Sequence, residues 1–315
     1  MRALAVEPSA PVGFAFADVA EPIAGRDQVL IDTSHVSLNR GDVNDARSGR
    51  VPVGAVLGSD VAGIVTQPAA SGDGPPAGTR VVGLTTAAFA ERCAVDVHAL
   101  TQVPAAVSLA DAVALPVAGV AALQALRAAG GGSGRRVLVT GASGGVGWFA
   151  VQLAALQDAH VIAAVGSTQR GVGLVEAGAA EVVVGLDGID RPVDVVLDNV
   201  GGNVLTGAWA LLAPGGSLQS IGWASDEPAV FAPYSTVGPP KSLSSFLIQG
   251  GVSEDLAMLV GLLDARDLVV QTGWRGSWND YTQAAETLLA RSLRGKAVLD
   301  VQPPRPLSTP HTGSP

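Results

Sequence analysis

The strongest chemical signal in this sequence is a glycine-rich run of seven residues, Gly141 to Gly147, GASGGVG. Apolar residues 137–140 before them predict a short buried strand, and residues 146–154 after them repeat apolar side chains at helical spacing. A glycine turn between strand and helix offers backbone N–H groups and a positive dipole end to a phosphate. The chain has 40 glycines, so an ordinary turn is the alternative. The flanking elements favour a dinucleotide site, with these predicted contacts: Gly141, Ser143, Gly144, Gly145 and Val146.

The end of the next predicted strand indicates which nicotinamide cofactor the site prefers. An NAD-preferring site places Asp or Glu about 20 residues after the glycine turn, where it holds the ribose 2′-hydroxyl. Residues 165–170 here are VGSTQR, without a carboxylate. Ser167 and Arg170 can instead bind a 2′-phosphate, which predicts NADPH, with Gly166 beside them. The alternative is a helix N-cap at Ser167 beside a solvated arginine, and both roles are compatible.

Charge and composition restrict the class of protein. A net charge of −9 over 315 residues argues against nucleic acid or an anionic membrane as the main partner. Cys93 is the only cysteine, so no internal disulfide can form and a reducing compartment fits. The N-terminus lacks a signal-like pattern, and no apolar run has the length of a membrane span. We therefore expect a soluble, cytoplasmic protein.

The predicted secondary structure divides the chain into two parts. Short strand-like segments in the first 105 residues or so predict a small β-barrel-like domain; they are 2–6, 28–36, 62–66, 80–84 and 89–95. Strands then alternate with helices, which predicts a parallel, doubly wound sheet. The predicted strands are 137–140, 160–165, 181–184, 193–198 and 217–222, and the helices between them are 146–157, 169–177 and 203–212. Further helices are expected from residue 111 and at 118–129, 253–263 and 280–290, and strand 297–301 is expected to rejoin the first domain.

Six sequence motifs occur in the same order as in a known protein family, and the resemblance extends from residue 1 to about residue 301. They are LNRGD at 38–42, GSDVAGIV at 58–65, ALPVAG at 114–119, GASGGVGWFAVQLA at 141–154, DVVLDNVGG at 194–202 and RGKAVL at 294–299. Together they resemble the medium-chain dehydrogenase/reductase superfamily, in its zinc-independent quinone oxidoreductase and enoyl reductase branch. The resemblance implies an α/β fold, with a GroES-like, partly open β-barrel domain and a Rossmann domain with a doubly wound parallel sheet.

The same resemblance implies the domain boundaries. Residues 1–117 form the first part of the GroES-like catalytic domain, and residues 118–255 form the Rossmann NADPH-binding domain. Residues 256–302 return to the catalytic domain, and 303–315 are a proline-rich tail that we expect to be mobile. The substrate cleft is expected between the two domains.

Candidate site residues follow from the matched motifs. Asn39, Asp42 and Asn44 belong to the cleft-lining segment and are the polar candidates for catalysis, although turn stabilisation is the alternative for Asn39 and Asp42. Many relatives carry a tyrosine near Asn44, so the proton donor here is expected to be water. Segments that resemble the family's nicotinamide side contribute further predicted contacts: Asn199, Val200, Gly222, Phe246 and Leu247. For Phe246 and Leu247 a place in the core is an equal alternative.

No metal site is predicted. Zinc-dependent relatives carry a cysteine near Asn39 and a His-Glu pair where this chain has Ser59 and Asp60. Catalytic zinc needs about three protein ligands, mostly Cys or His. The four histidines, His35, His98, His160 and His311, are scattered along the chain.

The functional hypothesis is an NADPH-dependent, zinc-free reductase of a carbonyl-conjugated C=C bond or a quinone. The alternatives are a metal-free carbonyl or alcohol oxidoreductase and a non-catalytic NADPH-binding protein. The substrate class is an enone or quinone, and an aromatic or polyketide-like molecule would suit a cleft walled by Trp223, Phe231, Tyr234 or Trp274. Residues 242–248 provide either a sheet edge for a homodimer or a wall of the cleft.

Overall fold

A computed structural model describes residues 1–301, so the predicted tail at 303–315 lies outside the described residues. Within residues 1–301, no helix is both long and apolar enough to cross a membrane. The strands are β1 Arg2–Val6, β2 Phe14–Asp18, β3 Gln28–Leu38, β4 Asp60–Gln67, β5 Arg80–Leu84, β6 Arg92–Asp96, β7 Leu100–Gln102, β8 Arg136–Thr140, β9 His160–Val165, β10 Glu181–Val184, β11 Val193–Asp198, β12 Leu212–Ser220, β13 Ser242–Ser245, β14 Thr272–Ser277 and β15 Lys296–Asp300. The α-helices are α1 Arg40–Ser48, α2 Leu109–Ala112, α3 Ala118–Ala128, α4 Gly145–Ala155, α5 Gly202–Leu211, α6 Val252–Ala265 and α7 Tyr281–Leu289.

The first domain, called here the antiparallel domain, is built around a seven-stranded sheet. Its strand order is β14-β15-β3-β4-β5-β7, and β6 also pairs with β3. Strand β15 runs antiparallel to β3, which confirms that the chain returns to its first domain. The core of this domain has large side chains such as Phe14, Phe89 and Trp278, all fully buried.

The second domain, called here the parallel domain, has a six-stranded sheet in the order β10-β9-β8-β11-β12-β13. Every neighbouring pair is parallel, which confirms the doubly wound α/β architecture. Val137 and Val139 on β8 join the core cluster that contains α3 and α4 residues, whereas Leu138 joins the cluster that contains α5 residues. Both faces of the sheet are covered, so consecutive apolar residues are all buried.

Several predicted elements differ from the structure. The helix predicted at 169–177 is wrong: only a short 3-10 turn, Thr168–Gly171, forms there. Gly173 has φ +82° and Gly178 has φ +105°, conformations that stop a helix. The strand predicted from 89 begins at Arg92, and α6 crosses the predicted boundary between residues 255 and 256.

Candidate active site

A cleft of about 640 Å³ lies between the two domains and is lined by residues of both. It collects most of the residues predicted from the sequence: Asn39, Asn44, Gly141, Gly144, Gly145, Val146, Gly166, Ser167, Arg170, Asn199, Val200 and Gly222. Asp42, Ser143, Phe246 and Leu247 do not line it. Residues that sequence reasoning did not single out for the cleft include Arg40, Arg291 and Lys296.

The glycine turn forms one wall of this cleft. Gly141 has φ +60°, and a Cβ on Gly147 would lie 2.4 Å from the Gly141 carbonyl oxygen, so close packing of helix on turn requires glycine there. Gly144 is the N-cap of α4. The first N–H groups of a helix have no intrahelical partner. The residues that carry them in α4, Gly145, Val146 and Gly147, line the cleft. The turn therefore offers donors and dipole charge to a phosphate group.

Arg170 is fixed at one end of the cleft. Its Nε donates to Ser143 Oγ at 3.0 Å, Nη2 donates to the Leu293 carbonyl at 2.9 Å, and Nη1 donates to the Arg291 carbonyl. Partial burial and the nearby Arg294 guanidinium lower the pKa of Arg170. Ser167 occupies an N-cap position, but its side chain makes no capping hydrogen bond. A guanidinium has five N–H donors, so two of Arg170's remain for a ligand beside Ser167.

Asn199 lines the cleft and is held in place by Thr140. Its Nδ2 donates to the Thr140 carbonyl at 2.9 Å, and its backbone N donates to Thr140 Oγ1 at 3.1 Å. Its Oδ1 is buried and has no hydrogen-bond partner. Thr140 Oγ1 in turn donates to the buried Asp198, whose pKa burial raises. These contacts with Thr140 fix the amide directly after the carboxyl end of β11.

Asp42 lies behind the cleft wall. Its Oδ2 accepts from the Asn39 backbone N at 3.0 Å and its Oδ1 accepts from Ser59 Oγ at 2.7 Å. The side chain is buried, and desolvation raises the pKa of its carboxyl to about 6. These contacts match the turn-stabilising alternative, because they close the first turn of α1.

Lys296 is the central side chain of the cleft floor. Its Nζ donates to Asp60 Oδ2 at 3.0 Å and to Asn39 Oδ1. Asn39 Nδ2 also donates to Asp60 Oδ2, at 3.0 Å, and the Val117 N–H donates to Asp60 Oδ1 at 2.8 Å. The cluster joins β15, β4, the start of α1 and the start of α3. One signal in the sequence pointed to it: the chain has only two lysines, and this one lies in the RGKAVL motif.

Comparisons with known proteins agree with this architecture. A model described as alcohol dehydrogenase GroES-like domain matches residues 25–125, and one described as zinc-binding dehydrogenase matches residues 145–265. Erythronolide synthase EryA2 of Saccharopolyspora erythraea is 36% identical over 218 residues, which cover 65% of this chain and 6% of that protein. The chloroplastic quinone-oxidoreductase homolog of Spinacia oleracea is 34% identical over 167 residues, 48% of this chain and 50% of that protein.

A solved structure extends the likeness of fold to the whole domain pair. The Escherichia coli quinone oxidoreductase complexed with NADPH superposes with a TM-score of 0.85 at 21% identity, over 95% of this chain and 100% of that one. This chain belongs to the medium-chain dehydrogenase/reductase superfamily. It falls in the quinone oxidoreductase branch. The curated relatives are matched over 6–56% of their own length.

The aromatic side chains of this superfamily member are distributed unequally around the cleft. Trp223 lines the cleft and packs over Gly201. The other aromatic residues predicted as cleft walls, Phe231, Tyr234 and Trp274, do not line it. Neither tyrosine lines it either, since Tyr281 packs against Phe14 and Tyr234 is 84% exposed. Asn44 does line the cleft, in the segment where many relatives carry a tyrosine.

Phe246 and Leu247 line a second cavity, of about 610 Å³, beside Gln124, Arg127 and Asp255. Leu247 is 74% exposed, and Phe246 is half-buried against the core. The segment predicted to meet the nicotinamide carboxamide therefore lies outside the cleft that holds the glycine turn.

The segments that carry zinc ligands in zinc-dependent members of the superfamily meet in this cleft wall. Here they supply an amide from Asn39, a hydroxyl from Ser59 and a carboxylate from Asp60. In residues 1–301, no group of three or more His, Cys, Asp or Glu side chains is arranged to hold a metal ion. The charged partner of Asp60 is the Lys296 ammonium.

Proposed function

We propose that this oxidoreductase uses NADPH to reduce a C=C bond conjugated to a carbonyl group, or a quinone. The observation that carries the proposal is the single cleft in which a dinucleotide-type glycine turn faces a polar floor of Asn39 and Lys296. The cofactor would supply a hydride when bound. The chain's own task is then to orient the substrate and to stabilise the negative charge that develops on its oxygen.

The cofactor's phosphates match the charge of the cleft. Among residues 1–301, its lining includes Arg40, Arg170, Arg291 and Lys296 but a single carboxylate, Asp226, although the whole chain has a net charge of −9. The N-terminus of α4 would bind the pyrophosphate, and Asn199 would contact the nicotinamide ribose. Ser167 and the two free N–H groups of Arg170 would bind the 2′-phosphate, which distinguishes NADPH from NADH.

The donor set of the cleft suits conjugate reduction without a metal. A carbonyl reductase of this fold that relies on zinc needs three protein ligands. The Asn39 amide, the Ser59 hydroxyl and the Asp60 carboxylate, which pairs with Lys296, do not provide them. The conjugate acceptor needs only a hydrogen-bond donor at its oxygen, since the charge spreads over the enolate. Activity is therefore expected to survive treatment with a chelator, and elemental analysis is expected to find far less than one equivalent of zinc.

A second copy of this chain is the proposed occupant of the outer edge of β13. Among residues 1–301, this strand pairs only with β12 and ends the six-stranded sheet. An edge strand with unpaired backbone groups favours pairing with another chain, and the neighbouring Leu243 and Leu247 are 42% and 74% exposed. The proposed assembly is a homodimer in which two parallel domains join edge to edge.

A substrate panel tests the proposed reaction. The purified chain is mixed with NADPH or NADH and with cyclohex-2-enone, a linear 2-enone, 1,4-naphthoquinone and cyclohexanone, and the products are assigned by mass spectrometry and NMR. Saturated ketone or hydroquinone with NADPH supports the proposal. Reduction of cyclohexanone alone supports a carbonyl reductase, and tight NADPH binding without any turnover supports a binding protein. Gly144→Val is the matched control without a cofactor site.

A further inference from the structure

The Lys296 side chain is buried at the floor of the cleft yet borders it. Only 3% of the residue is exposed. Its aliphatic part runs past the glycine turn: a Cβ on Gly145 would lie 2.8 Å from Lys296 Cδ, so glycine at this position leaves room for the lysine. The preceding Gly295 donates its N–H to the Ser143 carbonyl at 2.8 Å. The aliphatic part of Lys296 therefore lies beside the start of α4, and its ammonium reaches Asn39 and Asp60.

The hydrogen bonds of the cluster use two of the three N–H donors of the Lys296 ammonium. Lys296 Nζ has three N–H donors, and its partners in residues 1–301 are Asn39 Oδ1 and Asp60 Oδ2. Asp60 is fully buried and accepts from Val117 N, Asn39 Nδ2 and Lys296 Nζ. The carboxylate is therefore used for holding the lysine and the amide in position. The third N–H of Lys296 is the charged donor left over in the cleft floor.

We propose that Lys296 donates this third hydrogen bond to the carbonyl oxygen of the substrate and stabilises the negative charge that collects there as the β-carbon is reduced. The assignment rests on the proposed conjugate reduction. A fixed ammonium in a site largely closed to water acts more strongly than one in solvent, and it needs no reorganisation when the charge appears. Asn39 and Asp60 are then positioning residues, because they act through the lysine.

Removal of the lysine alone would leave Asp60 as a buried, unpaired carboxylate and would destabilise the fold. The test therefore compares Lys296→Met/Asp60→Asn, which removes both charges, with Lys296→Arg, which keeps the charge. Lys241→Met is the matched control, because Lys241 is the other lysine of the chain and bonds to the Trp209 carbonyl outside the cleft. Circular dichroism and thermal unfolding establish that each variant is folded.

The decisive readout is the ionisation of bound p-nitrophenol, a phenol whose anion mimics an enolate oxygen and absorbs visible light. It is titrated by absorbance against the full chain, with and without NADP⁺. In the unchanged protein and in Lys241→Met, bound p-nitrophenol is expected to have its pKa lowered by about one unit or more. The double variant is expected to lose that shift, and Lys296→Arg to retain part of it.

Kinetics provide the second readout. With a reducible enone, the double variant is expected to lose about 100-fold or more in kcat with a much smaller change in KM. An unchanged nitrophenol shift in a folded double variant overturns the assignment, as does failure of the unchanged protein to bind the anion. Weaker NADPH binding with an unaltered nitrophenol shift assigns the lysine to the cofactor instead. If no enone is reduced but the shift depends on Lys296, the proposed reaction fails while the oxyanion site stands.

Discussion

Arg170 and Ser143 are joined by a hydrogen bond of 3.0 Å from the guanidinium Nε to the hydroxyl oxygen. This contact ties the short turn after β9 to the glycine turn after β8. The other side of the guanidinium donates to the carbonyls of Arg291 and Leu293, which belong to the antiparallel domain. Arg170 thus links the turns after β8 and β9 to the facing domain.

Arg170→Ala is expected to weaken NADPH binding by about tenfold or more and to change NADH binding much less, because it removes a charge-assisted contact to the 2′-phosphate. Calorimetry with both cofactors measures this. Arg135→Ala, which removes an arginine that bonds only to the Ala129 carbonyl, is the control. Equal dissociation constants for NADPH and NADH in the unchanged protein would contradict the predicted preference.

Two glycines of the same turn are expected to respond differently. Gly144 has φ −82°, which suits any L-residue, so Gly144→Val is expected to fold and to lose cofactor binding by filling the pyrophosphate's place. A Cβ on Gly147 would lie 2.4 Å from the Gly141 carbonyl oxygen. Gly147→Ala is therefore expected to destabilise the fold by about 1–3 kcal/mol. Denaturant unfolding and calorimetry separate the effects, and retained binding in Gly144→Val would mean that the phosphates lie elsewhere.

Asp42 is expected to make stability depend on pH in an unusual direction. Burial raises the pKa of its carboxyl to about 6 in the folded chain, against an ordinary value of 3.8. Between those values the folded state binds a proton that the unfolded state has released, so the contribution of Asp42 to stability falls as pH rises from about 4 to about 6. Relative to Asp42→Asn, the unchanged protein should lose on the order of 3 kcal/mol across that range.

Unfolding by urea at pH 4, 5, 6 and 7 checks this difference. Asp45→Asn, which changes a carboxylate on the exposed side of the same helix, is the control. A difference between Asp42→Asn and the unchanged protein that stays constant with pH would show that Asp42 is ionised throughout.

The proposed dimer is tested at both edges of the parallel sheet. Light scattering at micromolar concentration is expected to give twice the chain mass of 31.5 kDa. Leu243→Lys on β13 is expected to yield monomers, because it places like charges opposite each other at the joined edges. Val184→Lys, on the opposite edge strand β10, changes a side chain of similar exposure and should leave the dimer intact. A monomeric unchanged protein would contradict the proposed assembly.

The parallel domain was predictable because its elements are signalled locally. Strands β9, β10 and β11 have the bounds expected from the sequence. In β9, residues 161–165 are uniformly apolar because both faces of the sheet are covered there. The helix expected at 169–177 does not form, because Gly173 adopts φ +82° in the middle of that segment, which a helix cannot accommodate. Strand β13, Ser242–Ser245, was not predicted as such, because its serines have no strand-like pattern and pairing with β12 determines its conformation.

The cleft was predictable only in part. Residues of the glycine turn carry their own signal, and the structure brings most of them into the cleft with Asn39 and Asn199. Lys296 was not assigned a role, because its partners Asn39 and Asp60 lie 257 and 236 residues away in the chain. The sequence shows only that residue 42 is an aspartate, which could either catalyse or cap a helix. Its contacts with the Asn39 backbone and Ser59 distinguish the two roles.

The most direct test of the central claim is the position of deuterium in the product when NADPH deuterated at C4 of the nicotinamide is supplied with cyclohex-2-enone. Each face of the nicotinamide is labelled in a separate reaction, and the product is analysed by NMR. We expect one of the two labelled cofactors to give a saturated ketone with deuterium at the carbon β to the intact carbonyl group. Deuterium on the carbinol carbon of an allylic alcohol, or no oxidation of NADPH with any enone or quinone, would contradict it.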